Sequence, residues 1–205
     1  MAGEPRRIGL TGGIGTGKSF VLEHLRACGV PVLDADAVSH AVVRRGQPAY
    51  AQVVTAFGAS VLGPDGELDR AALAERVFAE PAARRRLEAI VHPAVWAAVD
   101  AFFEGAAGAA VVEVPLLFES GHASTFDRIL VTDCPIEIQI SRVVGRGGLD
   151  EPGARARIRA QMPSSERRLR ADAVLDTGGT KQETLAQLER IWRGWGLAPL
   201  QRLRA

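Results

Sequence analysis

The first informative features of this sequence are absences. Asparagine does not occur in any of the 205 residues, so every motif that requires one is excluded. Cysteine occurs only twice, at Cys28 and Cys134, without the Cys-x-x-Cys spacing of redox or zinc sites, and both side chains are expected to be reduced and mostly buried. No apolar run approaches membrane-spanning length, and no apolar signal segment follows the N-terminus. These absences predict a cytoplasmic protein with no membrane partner.

The chain also lacks a large net charge. It has 25 Lys and Arg against 24 Asp and Glu, a net charge of +1, which offers no whole-chain argument for nucleic-acid binding. The basic charge is concentrated in residues 142–170, where eight arginines stand against three acidic residues. An RNA-binding interpretation of this segment predicts aromatic side chains for base stacking, and the segment contains none. We therefore expect no nucleic-acid partner.

Short apolar runs alternate with longer helical patterns along the chain. The runs are apolar at successive positions, which is typical of strands covered on both faces. Helices fit between them, so the pattern predicts an α/β protein with a parallel sheet and right-handed crossovers. The predicted strands are Ile8–Thr11, Val30–Leu33, Ala109–Val114, Ile129–Thr132 and Ala173–Leu175.

A long helical pattern separates the second and third predicted strands, and we interpret residues 36–108 as an insertion. Asp69 is a good N-cap for RAALAERVFA, Pro81 is expected at the first position of the next helix, and Pro93 is expected to open a further helix, AVWAAVDAFFEG. Farther on, PIEIQISRVV alternates like a strand, but Pro135 and the apolar spacing favour a helix.

A glycine-rich loop follows the first predicted strand, and residues 12–19 (GGIGTGKS) fit the pattern G-x-x-x-x-G-K-[ST]. An amphipathic pattern follows the loop, as this chemistry requires. Glycines let backbone N–H groups turn inward around an anion, and the helix N-terminus adds its dipole. The pattern predicts a nucleoside triphosphate site in which Lys18 reaches the β and γ phosphates and the Ser19 hydroxyl binds Mg²⁺. The alternative is a glycine-rich turn without a ligand.

The loop indicates a phosphate ligand but not a reaction. Recognition of guanine by an N-K-x-D motif is impossible without asparagine, so the GTPase interpretation is excluded. A motor or transporter ATPase requires a strong apolar strand that ends in aspartate. The nearest candidate, AAVVEVP, has Glu113 followed by valine and is a poor match.

Two aspartates follow the second predicted strand in VLDADAVSH. Ligands of open parallel sheets bind beyond the carboxyl ends of the strands, so Asp34 and Asp36 are expected where an acceptor substrate meets the phosphate loop. The alternative is that Asp36 only caps the following helix.

Six segments together resemble the dephospho-coenzyme A kinase family. In chain order they are IGLTGGIGTGKS, DADAVSHAVVRRGQPAY, FGASVLGPDGELDRAALAERVF, HPAV, VPLLFE and ADAVLD. The phosphate loop is common to many families, whereas the Asp-Ala-Asp segment, DGELDR, HP and PLLFE in this order are much more specific.

The resemblance implies a single kinase domain with an α/β, P-loop nucleoside-kinase-like three-layer fold. Its five-stranded parallel core would comprise residues 6–35, 109–134 and 171–205, with a helical coenzyme A-binding insertion at 36–108 and a mobile lid at 142–170. It also implies the reaction, in which ATP with Mg²⁺ phosphorylates the ribose 3′-hydroxyl of dephospho-coenzyme A, the last step of coenzyme A biosynthesis. The sequence sets no oligomeric state.

The resemblance also implies roles for individual residues. Asp36 is assigned as the base that receives the proton of the 3′-hydroxyl, and Asp34 is assigned to support Mg²⁺ or the loop through water. His92 is assigned to the acceptor site, although locally it also fits an ordinary helix end. Lys18 and Arg146 join Asp36 as catalytic residues. The residues assigned to ATP are Gly13, Gly15, Thr16, Gly17, Lys18, Ser19, Phe20 and Arg142, with Ser19 also the Mg²⁺ ligand.

Arg142 and Arg146 are one helical turn apart and share a face. The resemblance places them at the lid over the phosphates and adenine, where an arginine can neutralise transition-state charge. The alternative is a solvated basic face.

Two positions depart from the family pattern. Phe20 stands where a threonine commonly follows the loop serine, which removes a side-chain contact but leaves the backbone N–H for the α phosphate. Thr177 replaces an asparagine that is common after the last strand, which leaves open how adenine is held there.

The alternative enzyme is a nucleoside monophosphate kinase. Its acceptor is a phosphate, so its acceptor site should be rich in arginine rather than carboxylate. Asp34 and Asp36 favour a hydroxyl acceptor instead.

Overall fold

Five strands form one sheet in the computed structural model, which describes residues 7–201. The strands are β1 (Arg7–Gly12), β2 (Val32–Asp34), β3 (Ala110–Glu113), β4 (Arg128–Asp133) and β5 (Ala173–Asp176). They form one parallel sheet in the order β2-β3-β1-β4-β5. The phosphate loop therefore leaves the central strand, with β3 and β4 as its parallel neighbours. All five predicted strands are confirmed, with small differences at their ends.

The strands are continuously apolar because they are covered on both faces, as the sequence indicated. The central strands are buried along almost their whole length. The helices α1 (Lys18–Ala27) and α9 (Lys181–Gly194) cover one face of the sheet. Burying each large apolar side chain there contributes about 1.5–3 kcal/mol. The buried residues of this cluster are Ile8, Leu10, Val21, Leu22, Leu25, Val111, Leu130, Leu175, Leu188 and Trp192.

The remaining helices begin largely where the sequence signals predict. Asp69 caps α4 by accepting from the N–H groups of Ala71 and Ala72 at 2.9 and 3.1 Å, and Pro81 begins α5. The segment after Cys134 is helical as predicted, with Pro135 at the N-cap. These helices are α2 (Ala35–Ala41), α3 (Pro48–Phe57), α4 (Arg70–Ala79), α5 (Pro81–Glu104), α6 (Ile136–Gly145), α7 (Glu151–Arg159) and α8 (Ser164–Leu169).

The prediction that Pro93 opens a new helix is wrong, because Pro93 lies inside the 24-residue helix α5. Proline has no N–H to donate to the carbonyl four residues earlier, which costs about 3 kcal/mol in a helix interior. Packing on both sides of Pro93 offsets this cost, since Leu87 and Ile90 contact one apolar cluster before it. The buried residues after it are Val95, Val99 and Phe103.

The chain divides into two compact units. The core unit comprises Met1–Leu33 and Gly105–Ala205, of which 7–33 and 105–201 are described, and the helical unit comprises Asp34–Glu104. The insertion predicted from the sequence, residues 36–108, starts two residues after the helical unit begins and ends four residues after the helical unit ends. Within residues 7–201 there is no helix with both the length and the apolar character needed to cross a membrane.

Helix α9 is held at its start by a capping box between Thr180 and Glu183. The Thr180 hydroxyl accepts from the Glu183 N–H at 3.2 Å, and the Glu183 carboxylate accepts from the Thr180 N–H at 2.8 Å. The backbone hydrogen bond from Thr180 stabilises the ionised carboxylate and lowers the pKa of Glu183. The carboxylate therefore stabilises the fold at neutral pH, and this contribution is lost as the pH falls through the lowered pKa.

We expect Glu183→Ala to lower the Tm relative to the unmodified chain at pH 7, and we expect this difference to shrink toward about pH 3, where carboxyl groups become protonated. Thermal unfolding at several pH values measures it. Glu183→Gln keeps an acceptor at the same position and is the control, with a smaller loss at pH 7. A difference independent of pH would contradict the role of the charge.

Candidate active site

The phosphate loop between β1 and α1 adopts a backbone that requires glycine at two positions. Gly17 has φ 84° and forms the N-cap of α1 in the left-handed region. Gly15 has φ 77°, and a Cβ there would lie 2.7 Å from the Gln139 carbonyl oxygen. The positive φ therefore disfavours larger residues at both positions, and lack of space excludes them at Gly15 as well.

Carbonyl groups of the loop are held by side chains of the core unit. The Lys18 Nζ donates to the carbonyls of Gly12 and Gly13 at 3.0 and 3.2 Å. The Thr177 hydroxyl donates to the Thr16 carbonyl at 2.8 Å. Because the carbonyl of one residue and the N–H of the next are antiparallel in a trans peptide, this contact turns the Gly17 N–H to the opposite side. Such an arrangement favours an anion nest at the start of α1.

Thr16 anchors the loop to the sheet. Its side chain is fully buried, and its hydroxyl lies 2.8 Å from both the Gly13 carbonyl oxygen and the Thr132 hydroxyl on β4. The predicted ATP residue Thr16 therefore uses its side chain to hold the loop, which leaves only its backbone for a phosphate.

Ser19 and Phe20 lie in the first turn of α1 with different surroundings. Ser19 is exposed. Phe20 is half-buried, packs against the main apolar cluster, and has the Lys181 ammonium 5.5 Å from its ring centroid. The Phe20 side chain therefore serves packing.

The ligand chemistry at Ser19 fits Mg²⁺. Mg²⁺ commonly takes one or two protein ligands and completes its shell with water and substrate phosphate oxygens. In the described part of the chain, no group of three or more His, Cys, Asp and Glu side chains lies together in a way that could hold a metal ion. One protein ligand, the Ser19 hydroxyl, would be enough for a Mg²⁺ ion that is bound mainly by nucleotide phosphate oxygens and water.

Thr177 is the site residue whose role the sequence did not reveal. It is buried at 3% exposure, and its N–H donates to the Asp133 carbonyl at 2.8 Å, which ties the end of β5 to the end of β4. Arg142 donates to the Thr177 carbonyl and hydroxyl at 2.6 and 3.3 Å and also reaches the Gly15 carbonyl at 3.4 Å. Thr177 and Arg142 thus brace the loop together.

The arginines of the basic segment differ in their surroundings. Arg142 is half-buried against the loop, whereas Arg146 is exposed at the C-cap of α6, so the structure does not bring these two guanidinium groups into one environment. Arg155 pairs with Glu151 and Glu137, which joins α7 to α6, and the hydrogen bond that it donates to the Glu151 carboxylate is the main cause that raises its pKa. Arg167 is buried beside the loop and was not singled out from the sequence.

Cys134 follows β4 directly and lies behind the loop, 3.7 Å from an Arg142 nitrogen. Burial raises the pKa of the Cys134 thiol, against the opposing effects of Thr177 and Arg142. The thiol is therefore kept neutral. Both cysteines are free, and Cys134 is buried as expected, whereas Cys28 is only half-buried.

The two aspartates lie at the start of α2 in the helical unit. Asp34 is the N-cap, and its carboxylate accepts from the N–H groups of Asp36 and Ala37 at 2.8 and 3.2 Å. The alternative in which Asp36 only caps the helix is therefore wrong. Asp36 is the second residue of α2, and its side chain is exposed.

His92 lies in the middle of α5 and is exposed, so it is not at a helix end. Helices α2 and α5, which carry Asp36 and His92, pack against each other. The helical unit also contains a cavity of about 390 Å³. The basic side chains of its lining are His40, Arg44 and Arg70.

Comparison with known proteins identifies the family. A family model described as dephospho-CoA kinase matches residues 6–183, which include the loop and the whole helical unit. The chain belongs to the dephospho-CoA kinase family. This membership confirms the predicted α/β P-loop kinase fold and the resemblance from which it was inferred.

Individual relatives agree over almost their full length. The dephospho-CoA kinase of Geobacillus kaustophilus is 47% identical over 192 residues, which cover 92% of this chain and 96% of that protein. The dephospho-CoA kinase of Methylococcus capsulatus is 51% identical over 181 residues, which cover 86% of this chain and 91% of that protein. The crystal structure of TT1252 from Thermus thermophilus superposes with a TM-score of 0.80 at 37% identity, covering 93% of this chain and 98% of that one.

Of the two departures from the family pattern that the resemblance implies, Thr177 is the more informative. The hydroxyl that replaces the common asparagine holds the phosphate loop rather than standing free at the end of β5.

We expect Thr177→Val to destabilise the fold by about 1–3 kcal/mol, because the buried Thr16 carbonyl loses its donor while the side-chain volume is kept. We also expect weaker binding of a non-hydrolysable ATP analogue. Chemical denaturation and calorimetry measure the two effects. Thr55→Val is the control, since Thr55 is exposed and its hydroxyl bonds only a carbonyl of its own helix. Equal effects in both variants would contradict the bracing role.

Proposed function

We propose that this chain transfers the γ-phosphoryl group of ATP to the ribose 3′-hydroxyl of dephospho-coenzyme A, giving coenzyme A and ADP. The observation that carries the proposal is membership of the dephospho-CoA kinase family over residues 6–183. The braced phosphate loop supports it, because its geometry suits the triphosphate of a nucleotide. The reaction is the final step of coenzyme A biosynthesis.

The loop's part in the reaction is to position and neutralise the phosphates. Phosphoryl transfer passes through a loose transition state, so positioning and charge stabilisation supply most of the catalysis. The backbone N–H groups of residues 15–19 would hold the β and γ phosphates. Lys18, which bonds loop carbonyls in this structure, would turn to the phosphate oxygens. Mg²⁺, held by the Ser19 hydroxyl and ATP oxygens, would supply further neutralisation of charge.

We assign Asp36 as the group that orients the 3′-hydroxyl and receives its proton. As the hydroxyl oxygen bonds to the γ phosphorus, the bond to the ADP oxygen breaks and the hydroxyl proton passes to the carboxylate. Its exposure in the first turn of α2, with the capping role taken by Asp34, supports this assignment. His92 on the adjacent helix α5 is assigned to the acceptor site, and Asp34 to support of Mg²⁺ through water. Arg146 remains assigned to charge neutralisation over the phosphates.

We expect Asp36→Asn to lower kcat by about 10²–10⁴-fold while ATP affinity stays unchanged, because the amide keeps the shape but does not accept the proton. Steady-state kinetics with dephospho-coenzyme A and calorimetry with an ATP analogue measure both quantities. Glu88→Gln is the control, since Glu88 is a solvent-facing carboxylate of the same unit, paired with Arg84. Near-normal turnover of Asp36→Asn would overturn the assignment.

The acceptor is tested by offering ATP and Mg²⁺ with dephospho-coenzyme A and, separately, with a panel of nucleoside monophosphates. We expect ADP release only with dephospho-coenzyme A. Coenzyme A is the matched control, because its 3′-oxygen already carries a phosphate and cannot accept another at that hydroxyl. Turnover with the monophosphates alone would show that the chain acts on phosphate acceptors instead.

A further inference from the structure

Arg167, on α8, is the buried arginine of the basic segment. Its exposure is 5%, and its Nη2 atom lies 2.8 Å from the position that a Cβ on Gly13 would occupy. The guanidinium therefore rests directly on the phosphate loop. A Cβ at position 13 would displace the guanidinium from this position.

The hydrogen-bonding capacity of this guanidinium is only partly used by the described residues 7–201. Arginine has five N–H donors. Nη1 donates to the Met162 carbonyl at 2.5 Å, whereas the buried Nε has no hydrogen-bond partner among residues 7–201. A buried donor without a partner costs roughly 1–3 kcal/mol, more for a charged group, so the arrangement calls for an acceptor that the folded chain does not provide.

The neighbouring carboxylates do not supply that acceptor. Burial lowers the pKa of Arg167, and the nearby negative charges of Glu119 and Asp133 oppose this effect. Yet the Glu119 carboxylate accepts from the Met162 N–H at 3.0 Å, and the Asp133 carboxylate accepts from Ser164 and Arg168 at 2.7 and 3.1 Å. Arginine remains protonated in proteins, so a positive charge lies beside the loop without a bonded anion.

Two glutamines complete the surroundings of the guanidinium. The Gln161 side-chain oxygen accepts from the Ile14 N–H at 2.8 Å, which fastens the segment before α8 to the loop next to Gly13. The Gln139 Oε1 atom lies 3.3 Å from the same Cβ position on Gly13 and also lacks a partner in the described chain. Arg167 and both glutamines also line a cavity of about 500 Å³ between α6, α7 and α8.

We propose that Arg167 is a further ATP-binding residue, which donates to the γ-phosphoryl group where it meets the Gly12–Gly13 end of the phosphate loop. A phosphate oxygen provides the multiple acceptors that the guanidinium lacks, in the planar geometry that arginine matches. Gln161 positions Arg167 by holding its segment on the loop. The proposal deepens the proposed function, since it rests on the loop binding ATP.

The test compares nucleotides that differ only at the γ position. We expect Arg167→Gln to weaken binding of a non-hydrolysable ATP analogue by about tenfold or more and ADP binding by less than about threefold, because only the analogue carries the third phosphate. Isothermal calorimetry with Mg²⁺ measures both affinities. We also expect kcat to fall, with partial recovery in Arg167→Lys, which keeps the charge but not the planar donors.

The control is Arg170→Gln at the C-cap of the same helix. Arg170 is exposed and pairs with Glu166, so its removal changes the charge near α8 without touching the loop. We expect it to leave both affinities within about threefold of the unmodified chain. Circular dichroism establishes that each variant is folded, and Arg167→Lys carries the same comparison if Arg167→Gln does not fold.

A selective loss for the ATP analogue supports the proposal. Equal losses for the analogue and ADP, or no loss for either, would overturn it and assign Arg167 to holding the Met162 carbonyl alone. Because these measurements need no acceptor, they are independent of whether dephospho-coenzyme A is the substrate. Failure of the acceptor test with a selective loss here would contradict the proposed function and leave the ATP contact standing.

Discussion

The hydrogen bond from the buried Thr177 hydroxyl to the Thr16 carbonyl is the contact on which the nucleotide site depends. It joins the end of β5 to a loop that leaves β1, across the intervening strand β4. Arg142 and Thr132 hold neighbouring parts of the same loop. A loop that is fixed by the side chains around it presents its N–H groups to a phosphate without having to reorganise. In many enzymes, electrostatic stabilisation by such preorganised donors is the largest single contribution to the rate enhancement.

Burial, rather than position in the sequence, separates the arginines of the basic segment. Arg155 and Arg170 are paired with nearby carboxylates on the surface, and exposed pairs of this kind contribute little to stability. Arg142 and Arg167 contact the loop from two elements, α6 and α8. Charge that is partly withdrawn from water acts more strongly on a bound phosphate than charge on the surface. The segment therefore combines arginines paired at the surface with arginines that contact the phosphate loop.

Most of the fold followed from local patterns, and the exceptions have a common cause. The strands, the Asp69 cap and the start of α5 were predictable because apolar runs, capping side chains and proline act within a few residues. Pro93 misled because the helix through it is maintained by contacts with α2, α3 and α4, which a local pattern does not contain. The cap at α2 belongs to Asp34 rather than Asp36, a shift of two residues that depends on where β2 ends.

The sequence by itself determined the phosphate loop, the exclusion of guanine recognition, and the family, because each depends on residue identity at fixed spacing. Only the tertiary structure decided that Thr177 braces the loop, that Arg142 contacts Gly15, and that Arg167 rather than Arg168 or Arg170 is buried against it. These assignments join residues more than a hundred positions apart. Their physical basis is burial and the pairing of polar groups, which exist only once the strands and helices have come together.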